Sequence, residues 1–153
     1  MTAPAQAPPP AAGPPPRRAV DPAATVPPTP VRHRFRAADV AIHLDMVVIG
    51  DVCVAISLSG YRAILGGFFD DSSGSQALLL AALDGGQTAP LPALGHAVLG
   101  AAVSLGLRAV GQQAQQIESG GAYFQPADCA QHAADLRAQL ATARALLQRM
   151  GFA

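Results

Sequence analysis

Lysine and tryptophan are missing from this 153-residue chain, and glutamate occurs once, at Glu118. Charged residues make up only 13% of it, and ten basic side chains, all arginine, balance ten acidic ones. A protein that grips nucleic acid through its phosphates needs a surplus of positive charge on one face. Zero net charge argues against that partner. Cysteine is scarce too, since Cys53 and Cys129 lie far apart and form no Cys-x-x-Cys pair. Two buried free thiols in a reducing cytoplasm are expected rather than a disulfide. No uninterrupted apolar run reaches the ~18 residues of a spanning helix, so no membrane partner is expected. The N-terminus lacks a charged stretch followed by an apolar core, so no signal peptide is expected. No pair of histidines has metal-ligand spacing with acidic or thiolate partners. No phosphate-binding P-loop or kinase glycine-rich loop occurs.

Proline is plentiful but confined. Eleven of the fourteen prolines fall within residues 1–30. Proline fixes φ and supplies no amide donor, so residues 1–36 are expected to be a disordered, partly polyproline-II tail serving as a spacer. The junction V-R-H-R-F-R (31–36) sets three arginines around His33 and Phe35; it reads as a solvated segment, with an acidic partner surface as the alternative. Residues 37–153 are then one domain, long enough to bury a core.

Helical periodicity runs through that domain. Cys129, Ala133, Leu136, Leu140, Ala143, Leu147 and Met150 alternate in steps of four and three, a narrow apolar stripe stopped by Gly151. Leu107, Val110, Ala114 and Ile117 trace a second stripe, ended by Gly120 and Gly121. Tyr61, Ile64, Leu65, Phe68, Ser75, Leu79 and Ala82 trace a third, interrupted by Gly66, Gly67 and D-D-S-S-G-S (70–75), where a kink or break is expected. The stretch M-V-V-I-G-D-V-C-V-A-I-S-L (46–58) has the β-branched content of a buried strand. With no second strand to pair with, a helix followed by a turn is preferred. Helices are expected near 38–49, 57–83, 89–105, 107–119 and 127–150. The fold class is all-α, an antiparallel four-helix bundle with an extra N-terminal helix, preceded by the tail.

One histidine stands apart. With Thr88 as N-cap and Pro90 and Pro92 in the first turn, Leu91, Leu94, Val98, Ala101 and Leu105 cluster on the inner face of a helix. His96 then points roughly opposite, out of the bundle. Leu99, Gly100 and Val103 share its outer face, which therefore reads as a docking surface around an imidazole. Gly100 in mid-helix costs up to ~1 kcal/mol against alanine, a cost that makes sense if a partner must come close to the backbone. His33, His43 and His132 have no such setting and are read as ordinary tail or helix residues. Asp70, Asp71 and Asp84 are read as helix-end and capping residues rather than a catalytic pair.

The segment G-H-A-V-L-G-A-A-V-S-L-G (95–106) resembles the histidine-containing phosphotransfer (HPt) domain, whose pattern is H-x-L-K-G-x-x-x-x-L-G. His96, Val98, Gly100, Leu105 and Gly106 carry the match, and the next helix, G-L-R-A-V-G-Q-Q-A-Q-Q-I-E (106–118), ends as that family's does. The resemblance covers about residues 38–150. It departs at Leu99, where the family has lysine. It implies a cytoplasmic, monomeric carrier that takes a phosphoryl group on His96 and passes it between receiver-domain aspartates in bacterial phosphorelays. Leu99, Gly100, Val103 and Arg108 would be its partner-binding residues. It implies no resident cofactor, Mg²⁺ being brought by the receiver, and as partners a response-regulator receiver domain, a hybrid histidine kinase, or both. Imidazole titrates near pH 6.5 in water and is mainly neutral at cytoplasmic pH, leaving a ring nitrogen free to attack. The alternative is a degenerate module of the same shape that binds a receiver or kinase without carrying phosphate.

Overall fold

The computed structural model describes residues 37–153, and all regular structure there is helical. The expected tail at 1–36 lies outside the described residues. The helices are α1 (Ala37–His43), α2 (Met46–Phe68), α3 (Ser75–Asp84), α4 (Leu91–Ser104), α5 (Arg108–Gly120) and α6 (Pro126–Arg149), with a 3₁₀ turn at Gly121–Tyr123. No strand forms at 46–58 among the described residues.

Local chemistry explains most boundaries. Asp45 caps α2, its Oδ1 accepting from the amides of Val47 (3.2 Å) and Val48 (3.3 Å). The single helix expected over 38–49 is instead split at Leu44–Asp45 into α1 and α2, and α2 runs on past 49 where a turn was expected. The break comes at Ser57, at φ 72° and ψ 161°, a region that side chains other than glycine rarely adopt. The Ser57 hydroxyl accepts from the amide of Gly60 (3.3 Å) and so caps the second half of the helix.

Between α2 and α3, Asp70 organises the expected interruption. Its carboxylate accepts from the amide of Ser72 (2.9 Å) and the hydroxyls of Ser72 and Ser73 (2.7 Å each). These bonds lower its pKa to about 2. Helix α4 begins two residues later than Thr88 would set it. Pro90 occupies the cap position, and the Thr88 carbonyl accepts from the Leu91 amide. A tight turn through Gly106 (φ 71°) reverses the chain into α5. A Cβ there would lie 2.8 Å from the Asp45 carbonyl oxygen, so both conformation and space require glycine. Helix α6 opens with a reciprocal Gln125–Asp128 capping box and Pro126 in its first turn.

The core follows the apolar stripes. Leu107, Val110, Ala114 and Ile117 are all buried, as are Cys129, Ala133, Leu136, Ala143 and Leu147. On α4 the inner row is Leu91, Gly95, Val98 and Ala102, with Ala101 only partly buried. Helix α4 packs on α3 and α5, α6 packs on the same two helices, and α1 rests on α5 and α6. Tyr61 anchors α2 to this assembly, its hydroxyl donating to the Leu105 carbonyl (2.8 Å). Burial raises the pKa of that phenol to about 12. Ile64, expected on the buried stripe, is half exposed. Both cysteines are free, Cys129 buried and Cys53 partly so. Among the described residues α2 alone is long and apolar enough to cross a membrane, with a mean hydropathy of 1.6 over its most apolar stretch. Asp51 and the serines interrupt the run in sequence, which hides this property from a search for unbroken apolar stretches.

Candidate functional site

The His96 site is built by two glycines with opposite surroundings. Gly95 is buried, and a Cβ there would sit 2.7 Å from the Glu118 amide nitrogen and 3.1 Å from the Ala114 carbonyl oxygen. The missing side chain lets the backbones of α4 and α5 touch, which brings Glu118 beside His96. The His96 Nδ1 lies 2.9 Å from Glu118 Oε1. A carboxylate only accepts, so Nδ1 carries the shared hydrogen and donates it. The His96 side chain is 76% exposed and that of Glu118 32%. One turn further along α4, Gly100 has no atom close to where its Cβ would be. A partner can therefore approach the backbone next to the ring.

The neighbours expected on the outer face divide. Val103 is 59% exposed and Gly100 is exposed, whereas Leu99 is half-buried and leans over Gly111 of α5. Leu99 and Val103 form one wall of a groove of about 210 Å³, whose other walls include Asp45, Val48, Arg108 and Gln115. Arg108 is tied to the junction of α1 and α2. It donates to the Ala41 carbonyl (3.0 Å) and to Asp45 Oδ2 (2.6 Å). That guanidinium, with the amide bonds at the helix cap, holds the Asp45 carboxyl below its ordinary pKa. The structure thus brings His96, Leu99, Gly100 and Val103 onto one side of α4 and puts Arg108 at the far end of the groove, engaged elsewhere.

Glu118 is the residue that sequence reasoning missed as a partner of His96. The signal was present in the hairpin itself. His96 lies ten positions before Gly106 and Glu118 twelve after it, so an antiparallel pair turning at Gly106 sets them side by side.

The remaining histidines have other surroundings. His132 stacks on Phe124 at 4.3 Å with the rings nearly parallel. Its Nδ1 accepts from the side-chain Nε2 of Gln113 (2.8 Å), so it cements α5 to α6. His43 is partly buried, with Nδ1 unpaired. Asp84 bonds Arg137 across a cleft of about 500 Å³ between α3 and α6. Asp84 and Asp70 therefore act in local structure. Among the described residues no three His, Cys, Asp or Glu side chains gather as a metal site would require.

Comparison with protein-family models, with curated proteins and with solved structures finds no match in any of the three.

Proposed function

We propose that this chain is a phosphorelay carrier, with α3 to α6 and the second half of α2 forming an antiparallel bundle of the HPt type. The observation that carries the reading is the solvent-facing ring of His96, held through Nδ1 by Glu118 beside an uncovered Gly100.

The chemistry follows from that geometry. With Nδ1–H donated to the carboxylate, Nε2 holds the free lone pair and faces outward. It attacks the phosphorus of an aspartyl phosphate on a receiver domain. The N–P bond forms as the P–O bond to the receiver carboxylate breaks, and that carboxylate leaves with the bonding electrons. The ring becomes positive during transfer, and the adjacent Glu118 carboxylate stabilises it. Mg²⁺ held by the receiver would neutralise charge on the moving phosphoryl group. Reversal of the same step hands the group to a second receiver.

A second reading, binding without transfer, draws on two observations. Leu99 supplies no charge beside the ring, and Arg108 is engaged by Asp45. A dianionic phosphohistidine would sit near the Glu118 anion with no adjacent cation to offset it. Incubation with a receiver domain charged by acetyl phosphate separates the readings. Acid-labile, base-stable label on the wild type and none on His96→Gln supports the carrier. Binding of the receiver without label supports the non-carrying module. Leu99→Lys sharpens the test. If the missing cation limits occupancy, this variant raises the phosphorylated fraction by up to about fivefold, and if it is irrelevant the fraction stays level.

A further inference from the structure

The largest exposed apolar feature in the described residues lies on α2, apart from the face of α4 that carries the histidine. Val54 is 89% exposed, Val47 72% and Ile64 50%, and Met46, Ile56 and Leu58 are exposed too. Asp51 and Arg62 are the only charged side chains among its 23 residues. Apolar side chains exposed singly are ordinary, but a whole helix of them marks a surface that something covers. With whole-residue areas of about 150–200 Å², the six apolar residues expose roughly 550 Å², close to the ~600 Å² a side of the smaller stable protein–protein interfaces.

Lipid is the wrong occupant. The break at Ser57 divides α2 into halves (46–56 and 58–68) of about 16 Å each, against a hydrocarbon core of about 30 Å. Residues 37–153 hold nine acidic and only five basic side chains, a balance that an anionic bilayer surface repels.

A second copy fits, because the face is complementary to itself. Asp51 stands six residues before the break and Arg62 five after it. A twofold axis through the break lays two bent helices antiparallel and sets Asp51 of each chain against Arg62 of the other. Asp51 is exposed and forms no ion pair among the described residues. Arg62 is exposed and donates through one nitrogen to the Gly151 carbonyl, which leaves the rest of its guanidinium for a partner. The same register brings Val47 of one chain against Gly66 of the other. Gly66 and Gly67 are exposed, with open space where a Cβ would stand, so they receive a side chain as a hole receives a knob. Gly67 and Ile64 also border an apolar pocket of about 510 Å³, whose walls include Val52, Phe68, Ala101 and Leu105. A projecting residue before the break thus meets a hollow after it, twice over.

We propose that the outer face of α2 pairs with the same face of a second copy, antiparallel about Ser57, with Asp51 of each chain against Arg62 of the other and Val47 over Gly66. This replaces the expectation of a monomer and does not depend on the carrier reading. Modest interfaces reach down to micromolar affinity, so the test is sedimentation equilibrium of the full chain from about 1 to 200 µM. The wild type is a dimer at the upper end and dissociates on dilution, leaving the face bare. Val47→Asp/Val54→Asp weakens association by about tenfold or more, with helical circular dichroism unchanged because both side chains are exposed in the single chain. Gly66→Gln fills the hollow and weakens it by a similar factor. Asp51→Arg sets like charges together and weakens it about tenfold, and Asp51→Arg/Arg62→Asp restores it, as only pairing of the chain with itself allows. A wild type that stays monomeric at the highest concentration overturns the proposal, as does a dimer that the aspartate pair leaves intact or a charge swap that restores nothing. Flotation of a monomeric wild type with phosphatidylcholine vesicles also overturns it, assigning the face to lipid.

Discussion

Helices α5 and α2 are opposites in how apolar residues are spent. On α5 the few apolar side chains recur in steps of three and four, and every one from Val110 to Ile117 is buried, while Gln112, Gln115 and Gln116 face out. On α2 apolar residues surround the axis, and more of them are exposed than buried. Total hydrophobicity does not decide burial. What decides it is whether the apolar residues fall on one face that a neighbour can cover.

The sharpest way to break that comparison is to truncate one residue on each helix. Ile117→Ala removes a fully buried side chain and should cost about 3–4 kcal/mol in urea unfolding. Val54→Ala should change stability by less than about 0.5 kcal/mol. Equal losses would mean that α2 is covered within the folded chain itself.

The two glycines of α4 give the next largest contrast. Gly95→Ala forces a methyl into the α5 backbone at Glu118. It should cost about 2–3 kcal/mol and separate His96 from Glu118. Gly100→Ala meets open space and should stabilise by up to about 1 kcal/mol, yet slow docking of a partner against the ring. Thermal melts check the first pair of effects, and receiver-binding kinetics the last.

How much of this was legible beforehand depended on patterning. The α5 and α6 stripes and the outward aim of His96 follow from helical spacing alone. The interruption at 70–75 was marked by its serines and glycine, which Asp70 gathers into a turn. The first half of α2 resisted because its apolar residues define no face, so neither its length nor its exposure could be inferred, whereas Tyr61, Leu65 and Phe68 of the second half are buried as their stripe implies. A helix start near 57 was expected, but not that Ser57 would make the break at positive φ, since serine has no special tendency toward that region. Leu99 looked exposed because a helical wheel omits the neighbour. Gly111 opposite leaves a hollow, and Leu99 leans into it. Arg108 was expected among the partner-binding residues, but it lies only two positions after the turn at Gly106 while His96 lies ten before it. The hairpin therefore sets the two at opposite ends of α4, where Asp45 and the Ala41 carbonyl take the Arg108 donors.

Ser57 offers a smaller test of the α2 description. Glycine adopts its backbone angles without strain, so Ser57→Gly should stabilise by about 1 kcal/mol despite losing the bond to Gly60. A loss of stability would mean that the helix runs straight in solution.

The smallest effects are at the extremes of pH, and they have opposite signs. Asp70 has a folded pKa of about 2, below the ordinary 3.8, so its contribution is present above pH ~4 and is lost as pH falls toward 2. Tyr61 has a folded pKa of about 12, above the ordinary 10. Its contribution is complete below pH ~10 and is lost as pH rises through 12. Asp70→Asn should flatten the acid limb of a stability profile and Tyr61→Phe the alkaline limb.

One labelling experiment addresses both the proposed carrier role of His96 and the proposed orienting role of Glu118. A receiver domain charged by acetyl phosphate is mixed with wild type, His96→Gln and Glu118→Ala, and acid-labile, base-stable phosphate is followed over time. The wild type should label, His96→Gln should not, and Glu118→Ala should label about 10- to 100-fold more slowly, the loss typical when the carboxylate orienting a metal-ligating imidazole is removed. Label that persists in His96→Gln, or a wild type that binds the charged receiver and stays unlabelled, would contradict the account.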